Sequence, residues 1–147
     1  MEFLAGVEQL GAVRALKSSF FAYPVVNALH ILSIGAVLTS VMLMDLRILG
    51  AFASIEQAPF IRLLRRVALT AFCGAVLTGV SMFAIRATEY AAMPVFLAKM
   101  ALIVLAGLNF LAFQRMAGKS GGTRFLAAAS IVLWIGVLFA GRFIGFL

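Results

Sequence analysis

The sequence predicts an all-α fold: a polytopic membrane four-helix bundle with an N-terminal interfacial amphipathic helix, in a single membrane domain over residues 1–147. Three observations predict it. The chain is 65% hydrophobic and 12% charged, with a mean hydropathy of +1.15, whereas soluble domains are nearer half apolar and a quarter charged. Four apolar segments each reach about 19 residues or more, enough at ~1.5 Å per residue to cross a ~30 Å hydrocarbon core. No period-two alternation runs through them, so helices, not a barrel, must satisfy the backbone groups that lipid leaves unpaired. The 147 residues leave no room for a separate soluble domain beside the spans.

The first element is amphipathic. Over residues 3–19, FLAGVEQLGAVRALKSS, the apolar Phe3, Leu4, Val7, Leu10, Val13 and Leu16 recur at three- and four-residue spacing, with Glu8, Arg14 and Lys17 between them. That stretch is too polar to span and is expected to lie in the interface. The start, MEFLAGVEQL, is acidic and lacks a continuous apolar core, so it does not read as a signal peptide. Ser18, Ser19 and Pro24 mark the bend into the first span. The spans are expected at about 23–44, 67–85, 93–113 and 125–146, with KSGGT at 119–123 as a short turn between the last two. No internal repeat is visible.

Orientation follows from the basic loops. Arg47, Arg62, Arg65, Arg66, Arg115, Lys119 and Arg124 gather after spans one and three, against Arg14, Lys17, Arg86, Lys99 and Arg142 on the other side. The excess places the first group in the cytoplasm and both termini outside, which in a Gram-negative cell means a multi-pass inner-membrane protein with periplasmic termini. The net charge of +7 would suggest nucleic acid in a soluble protein. Here it serves topology and lipid headgroups, so the expected partners are membrane lipid and either further copies or a larger membrane complex, not nucleic acid.

Polar groups within lipid are the informative residues, because each costs free energy unless paired. Asn27, His30 and Ser33 are spaced by three and share a helix face that Tyr23 extends toward the outer interface. His30 is the chain's one histidine, and it lies in the outer part of the membrane. Lys99 and Arg142 reach a similar depth on spans three and four, and Ser81, Arg86, Glu89 and Tyr90 follow at the end of span two. In a bundle, His30, Lys99 and Arg142 are expected to converge, with Glu89 as counter-charge, and would suit an anionic headgroup, a carboxylate or a propionate. The plainer alternative is that Lys99 and Arg142 snorkel to the interface and His30 makes an ordinary helix-to-helix hydrogen bond.

At the cytoplasmic end Asp45, Arg47, Asn109, Gln114 and Arg115 cluster. Asp45 is expected to form a structural ion pair with Arg47, Arg65, Arg66 or Arg115, stapling the first loop to span three. Gly141 with Gly145, and Gly136 with Ala140, form small-xxx-small pairs that permit close helix approach. The seven methionines are scattered and read as packing residues, not a copper motif. One cysteine, Cys73, excludes an intrachain disulfide and a Cys-based cluster. One His and one Cys exclude a hydrolytic triad or a multi-His metal site within the chain, and no phosphate loop, nucleophile elbow or HExxH is present. Hence no catalytic residues are expected, and the protein reads as a non-enzyme.

The strings YPVVNALHILSIGAVLTSVMLMDLRILG, PVFLAKMALIVLAGLNFLAFQ and VLWIGVLFAGRFIGF resemble a bacterial four-helix integral membrane family classed as a domain of unknown function, over nearly the whole chain. More distantly, the Lys99-to-Asn109 stretch and the Gly141-Arg142 pair resemble the copper resistance D (CopD) membrane proteins. That resemblance implies a periplasm-linked metal or redox role. Where the resembled pattern carries a second histidine after the asparagine of span three, this chain has Gln114, at the opposite membrane end from His30.

Three functions are therefore expected to compete. The first is a haem- or metal-linked binding or accessory component at the periplasmic side. It would bind haem b or copper through His30 as the metal ligand, with Asn27, Lys99 and Arg142 completing the cofactor site. The second is a non-catalytic anchor or scaffold subunit of a larger redox or transport complex. The third is a small oligomeric channel or transporter.

Overall fold

A computed structural model describes residues 2–116 and 120–146, in seven helices and, among the described residues, no strand. Two short helices, α1 (Glu2–Glu8) and α2 (Gly11–Ser18), precede the long α3 (Ala22–Leu49) and α4 (Gln57–Ile85). The short α5 (Ala87–Ala92) then leads to α6 (Pro94–Arg115) and α7 (Ser120–Ile144). Helices α3, α4, α6 and α7 are long and apolar enough to cross a membrane, so the chain is an all-α, multi-pass membrane protein.

The helices outrun the expected spans. Helix α3 continues past Met44 to Leu49, where Gly50 at φ +115° closes it and Ala51 N–H donates back to Leu46 O at 2.9 Å. Only a glycine takes that left-handed turn without strain. Helix α4 starts ten residues before the apolar run, at Gln57, so Arg62, Arg65 and Arg66 ride on helix and not in a loop. Extending the helix keeps backbone groups paired as the chain leaves lipid. All three prolines, Pro24, Pro59 and Pro94, sit in the first turn of a helix. The N–H groups there have no intrahelical partner to lose. In the KSGGT stretch, Ser120–Thr123 belong to the first turn of α7, while Lys119 lies outside the described residues.

The single amphipathic helix expected over residues 3–19 is broken at Gln9–Leu10 into α1 and α2. Glu8 explains the break. Its Oε1 accepts the Thr88 N–H at 2.8 Å and the Thr88 hydroxyl at 2.7 Å, so α1 is pinned to the start of α5, while α2 packs on α3 and α4. Donation by the Thr88 N–H, then by its hydroxyl, holds the Glu8 carboxyl below the ordinary range. This docking is complete above that range and is lost as pH falls through the lowered value.

Packing is inverted relative to a soluble protein. Buried apolar residues are mostly small (Ala68, Ala84, Ala87, Ala106 and Ala127 among them), while large ones such as Leu77, Leu97, Val104 and Val132 face outward. Lipid is as apolar as leucine, so burial of large side chains gives no drive, and close backbone approach supplies the contact instead. The chain makes two antiparallel hairpins, α3–α4 and α6–α7. The seams within them match. On α4, Gly74 and Gly79 receive Ser33 and His30 of α3; on α7, Gly136 and Gly141 receive Leu102 and Lys99 of α6. Glycines five apart thus face knobs three apart in both hairpins. The buried Ala68 and Ser130 precede each first glycine by six residues, and the buried Val37 and Ala106 follow Ser33 and Leu102 by four. The sequence shows no repeat because the repeated feature is a pattern of small residues in apolar helices that otherwise differ.

The two hairpins meet asymmetrically. Helices α3 and α7 pack closely along one side, whereas α4 and α6 make no close backbone approach. That wider side is bridged by side chains near its two ends: Phe83 against Phe96, ring centroids 5.3 Å apart, and the Arg65 guanidinium 6.0 Å over the Phe110 ring. The bundle thus has an α5 end and an Arg-rich end.

A Cβ at position 74 would lie 2.8 Å from Ser33 Oγ, while at Gly35 it would meet nothing within 4 Å. Gly74→Leu is therefore expected to destabilise the bundle by about 1–3 kcal/mol through overpacking, with Gly35→Leu near neutral, as read by unfolding in detergent micelles. Equal effects at both positions would contradict the seam.

Candidate functional site

The only imidazole lies at the α3–α4 seam because Gly79 leaves room for it. A Cβ there would come within 3.0 Å of His30 Cε1. His30 Nδ1 and Thr78 Oγ1 are 2.8 Å apart, and Thr78 Oγ1 also lies 2.7 Å from Gly74 O and 3.3 Å from Ala75 O, on its own helix. A hydroxyl has one proton, and a carbonyl can only accept it. Thr78 therefore donates to Gly74 O and accepts from His30 Nδ1–H. This chain of two bonds orients the ring and favours the Nδ1–H tautomer. In the neutral ring, Nε2 keeps its lone pair, and it has no hydrogen-bond partner among the described residues. An Nδ1–H anchored in this way is how ligating histidines are commonly oriented.

Lys99 stands at the equivalent knob position of the other hairpin. Its stem lies against α7, where a Cβ on Gly141 would be 3.4 Å from Nζ. It forms no ion pair among the described residues. Its ammonium lies within electrostatic reach of the His30 imidazole. The structure thus brings His30 and Lys99 to the same region, half-buried in apolar helices.

The other expected members stand elsewhere. Arg142 neighbours Gly141 in sequence but points away, exposed, with its guanidinium 4.7 Å over the Phe146 ring. One residue along a helix is a turn of about 100°, enough to take it off the seam. Glu89 pairs with Arg86 at 3.5 Å in place of Lys99, an exposed pair of small energetic weight. Asn27 is partly buried on the α3 face below Tyr23.

Above the pair, three rings stack between α4, α5 and α6: Phe83–Phe96 at 5.3 Å, Tyr90–Phe96 at 6.0 Å and Phe83–Tyr90 at 6.5 Å. Beyond them, at the α5 end, opens a cavity of ≈ 550 Å³ lined by Lys17, Tyr23, Met82, Arg86, Glu89, Tyr90, Met93 and Gly145 among others. Met82 and Gly145 are three and four residues past Gly79 and Gly141, so the cavity begins about one helical turn, ~5 Å, beyond His30 and Lys99. Burial is the main cause that raises the Tyr90 phenol above its ordinary value, so it stays a neutral hydrogen-bond donor at the cavity wall.

At the Arg-rich end the expected ion pairs give way to bonds onto backbone and hydroxyl groups. Arg47 donates from Nε and Nη2 to Ile55 O at 3.1 and 3.0 Å, bracing the loop after α3. Arg124 donates to Leu49 O at 3.1 Å, and Asn109 Nδ2 donates to Leu126 O at 3.0 Å across α6 and α7. Asp45 is buried and bonded to Ser130 of α7, and Arg115 is exposed at the end of α6. Helix α3 orients these side chains differently: Arg47 is about 200° around the helix from Asp45. Thr78, Ser130, Phe83 and Phe96 carry little signal in the sequence. Only a hydroxyl within an apolar run, in GAVLTG at 74–79, marks Thr78 there.

Among the described residues no group of three or more His, Cys, Asp or Glu side chains lies together. His30 therefore belongs to no such group, and Nε2 is its ring nitrogen without a hydrogen bond among the described residues. No family model, curated protein or solved structure matches the chain, so its functional reading rests on this geometry.

With one histidine in the chain, selective ¹⁵N-histidine labelling yields a single imidazole. The nitrogen shifts are expected to show a protonated Nδ1 and an unprotonated Nε2 in the apo protein. Thr78→Val, which removes the acceptor at a cost of about 1 kcal/mol, should mix the tautomers. An Nε2–H tautomer in the parent protein would refute the assignment.

Proposed function

We propose that the protein is a non-catalytic, haem-linked binding component of a bacterial inner membrane, in which His30 would ligate the iron and Lys99 would pair with a propionate. The carrying observation is the His30–Thr78–Gly74 relay, which orients the Nε2 lone pair within electrostatic reach of an ammonium that has no counter-ion among the described residues. Intramembrane ionisable groups of this kind are expensive and by default functional. Haem suits the donors better than copper does. Haem iron asks the chain for as little as one nitrogen and brings its own anionic carboxylates, whereas a copper site needs further protein ligands. The excess of basic residues at the Arg-rich end supports the orientation in which this site faces the periplasm. Met82, Met93 and the aromatic stack supply the apolar surroundings a porphyrin requires.

A scaffold role has one observation in its favour. Gly35 and Gly107 lie in mid-helix, and a Cβ added at either would meet nothing within 4 Å, although glycine there costs about 1 kcal/mol relative to alanine. Such bare, outward positions suit a partner helix in an oligomer or larger complex.

Oxidised and reduced absorption spectra with metal analysis, on protein reconstituted with haem in detergent, decide between them. The expected result is a Soret band at one haem per chain, abolished in His30→Ala and bound at least about ten-fold more weakly in Lys99→Ala, the worth of one charge-assisted hydrogen bond. A folded protein that takes up no haem, and co-purifies with a membrane partner, would overturn the haem reading in favour of the scaffold.

A further inference from the structure

A second buried ionisable group, at the other end of the bundle, plays no part in the His30–Lys99 site. Asp45 is 7% exposed, and its partner Ser130 is 8% exposed. The second carboxyl oxygen, Oδ2, is buried with no hydrogen-bond partner among the described residues.

Cations surround this end, yet none pairs with Asp45 among the described residues. On its own helix, Arg47 is turned to Ile55 O. On α4, Arg65 stacks over Phe110, with its own Nε buried and unpartnered, while Arg62 and Arg66 are exposed. On α7, Arg124 binds Leu49 O; on α6, Arg115 is exposed. A buried carboxylate without a cation costs several kcal/mol. A neutral carboxyl with one unsatisfied O–H costs less, about 1–3 kcal/mol.

The position adds a consequence. Helices α3 and α7 form the close backbone contact between the two hairpins, and the Asp45–Ser130 bond lies in it. We propose that Asp45 is a proton-binding site: it rests as the neutral acid, protonated on Oδ2, and its ionisation loosens the α3–α7 contact. On ionisation the Oδ2–H bond breaks and the proton passes to water at the Arg-rich end. The carboxylate left behind draws water or a cation into the seam, which separates the helices.

Difference infrared spectroscopy on the intact protein in lipid tests this directly. The chain has five carboxyl side chains, and Glu2, Glu8, Glu56 and Glu89 lie outside the spanning helices' buried interior. A protonated-carboxyl stretch at neutral pH is expected in the parent, absent from Asp45→Asn and displaced in Ser130→Ala. Raising the pH should remove the band and speed amide exchange in α3 and α7 together. Asp45→Asn, which mimics the neutral acid, should keep slow exchange at every pH. Absence of the band at neutral pH, or equal pH-dependent loosening in Asp45→Asn, would overturn the proposal.

Discussion

Helix packing in this protein has to proceed without the hydrophobic effect. In lipid, burying a leucine against another helix gains little over leaving it among acyl chains. What remains is dispersion from close backbone approach and a few polar bonds, and both require small residues at the seams. Gly74, Gly79, Gly136 and Gly141 supply that approach. Each is filled by a side chain of the partner helix, so each hairpin is fixed in register by two knobs. The rest of the arrangement follows from the register, including which residues face the bundle interior.

That register also explains why the polar residues fall where they do. His30 and Lys99 occupy the same knob position in the two hairpins. Each is laid along a neighbouring helix by a glycine, and each is held where water is scarce. The hairpins do not close symmetrically. The α3–α7 side is tight and contains Asp45 and Ser130, whereas the α4–α6 side is spanned by Phe83, Phe96, Arg65 and Phe110. A tight side with a buried carboxyl and a wide side closed by rings make a bundle with two distinct flanks. Movement of one hairpin against the other would therefore reach His30 and Lys99, which stand on opposite hairpins.

Much of this was legible in the sequence. Hydropathy and length gave four helices and their order, because a lipid core imposes the same demand on every span. Helix ends were less legible: Gln57 to Arg66 carries three arginines and read as loop, yet continues α4. The equal depth of His30 and Lys99 followed from their places in the spans, but depth says nothing of azimuth, and Arg142 is turned to Phe146 by a single residue's rotation. Asp45 invited an ion pair because arginines are plentiful nearby. Two of them instead satisfy loop and helix-end carbonyls at Ile55 and Leu49. Thr78 gave little signal, since a threonine among alanines and valines is ordinary until its hydroxyl is seen between an imidazole and a carbonyl.

The two hairpins hold His30 and Lys99 at equivalent positions, facing one another's side of the bundle. Cysteine cross-linking in native membranes measures it most directly, with His30→Cys and Lys99→Cys combined in a Cys73→Ala background and treated with a short bifunctional thiol reagent. An efficient cross-link within one chain is expected. No cross-link, or one that forms only between chains, would contradict it.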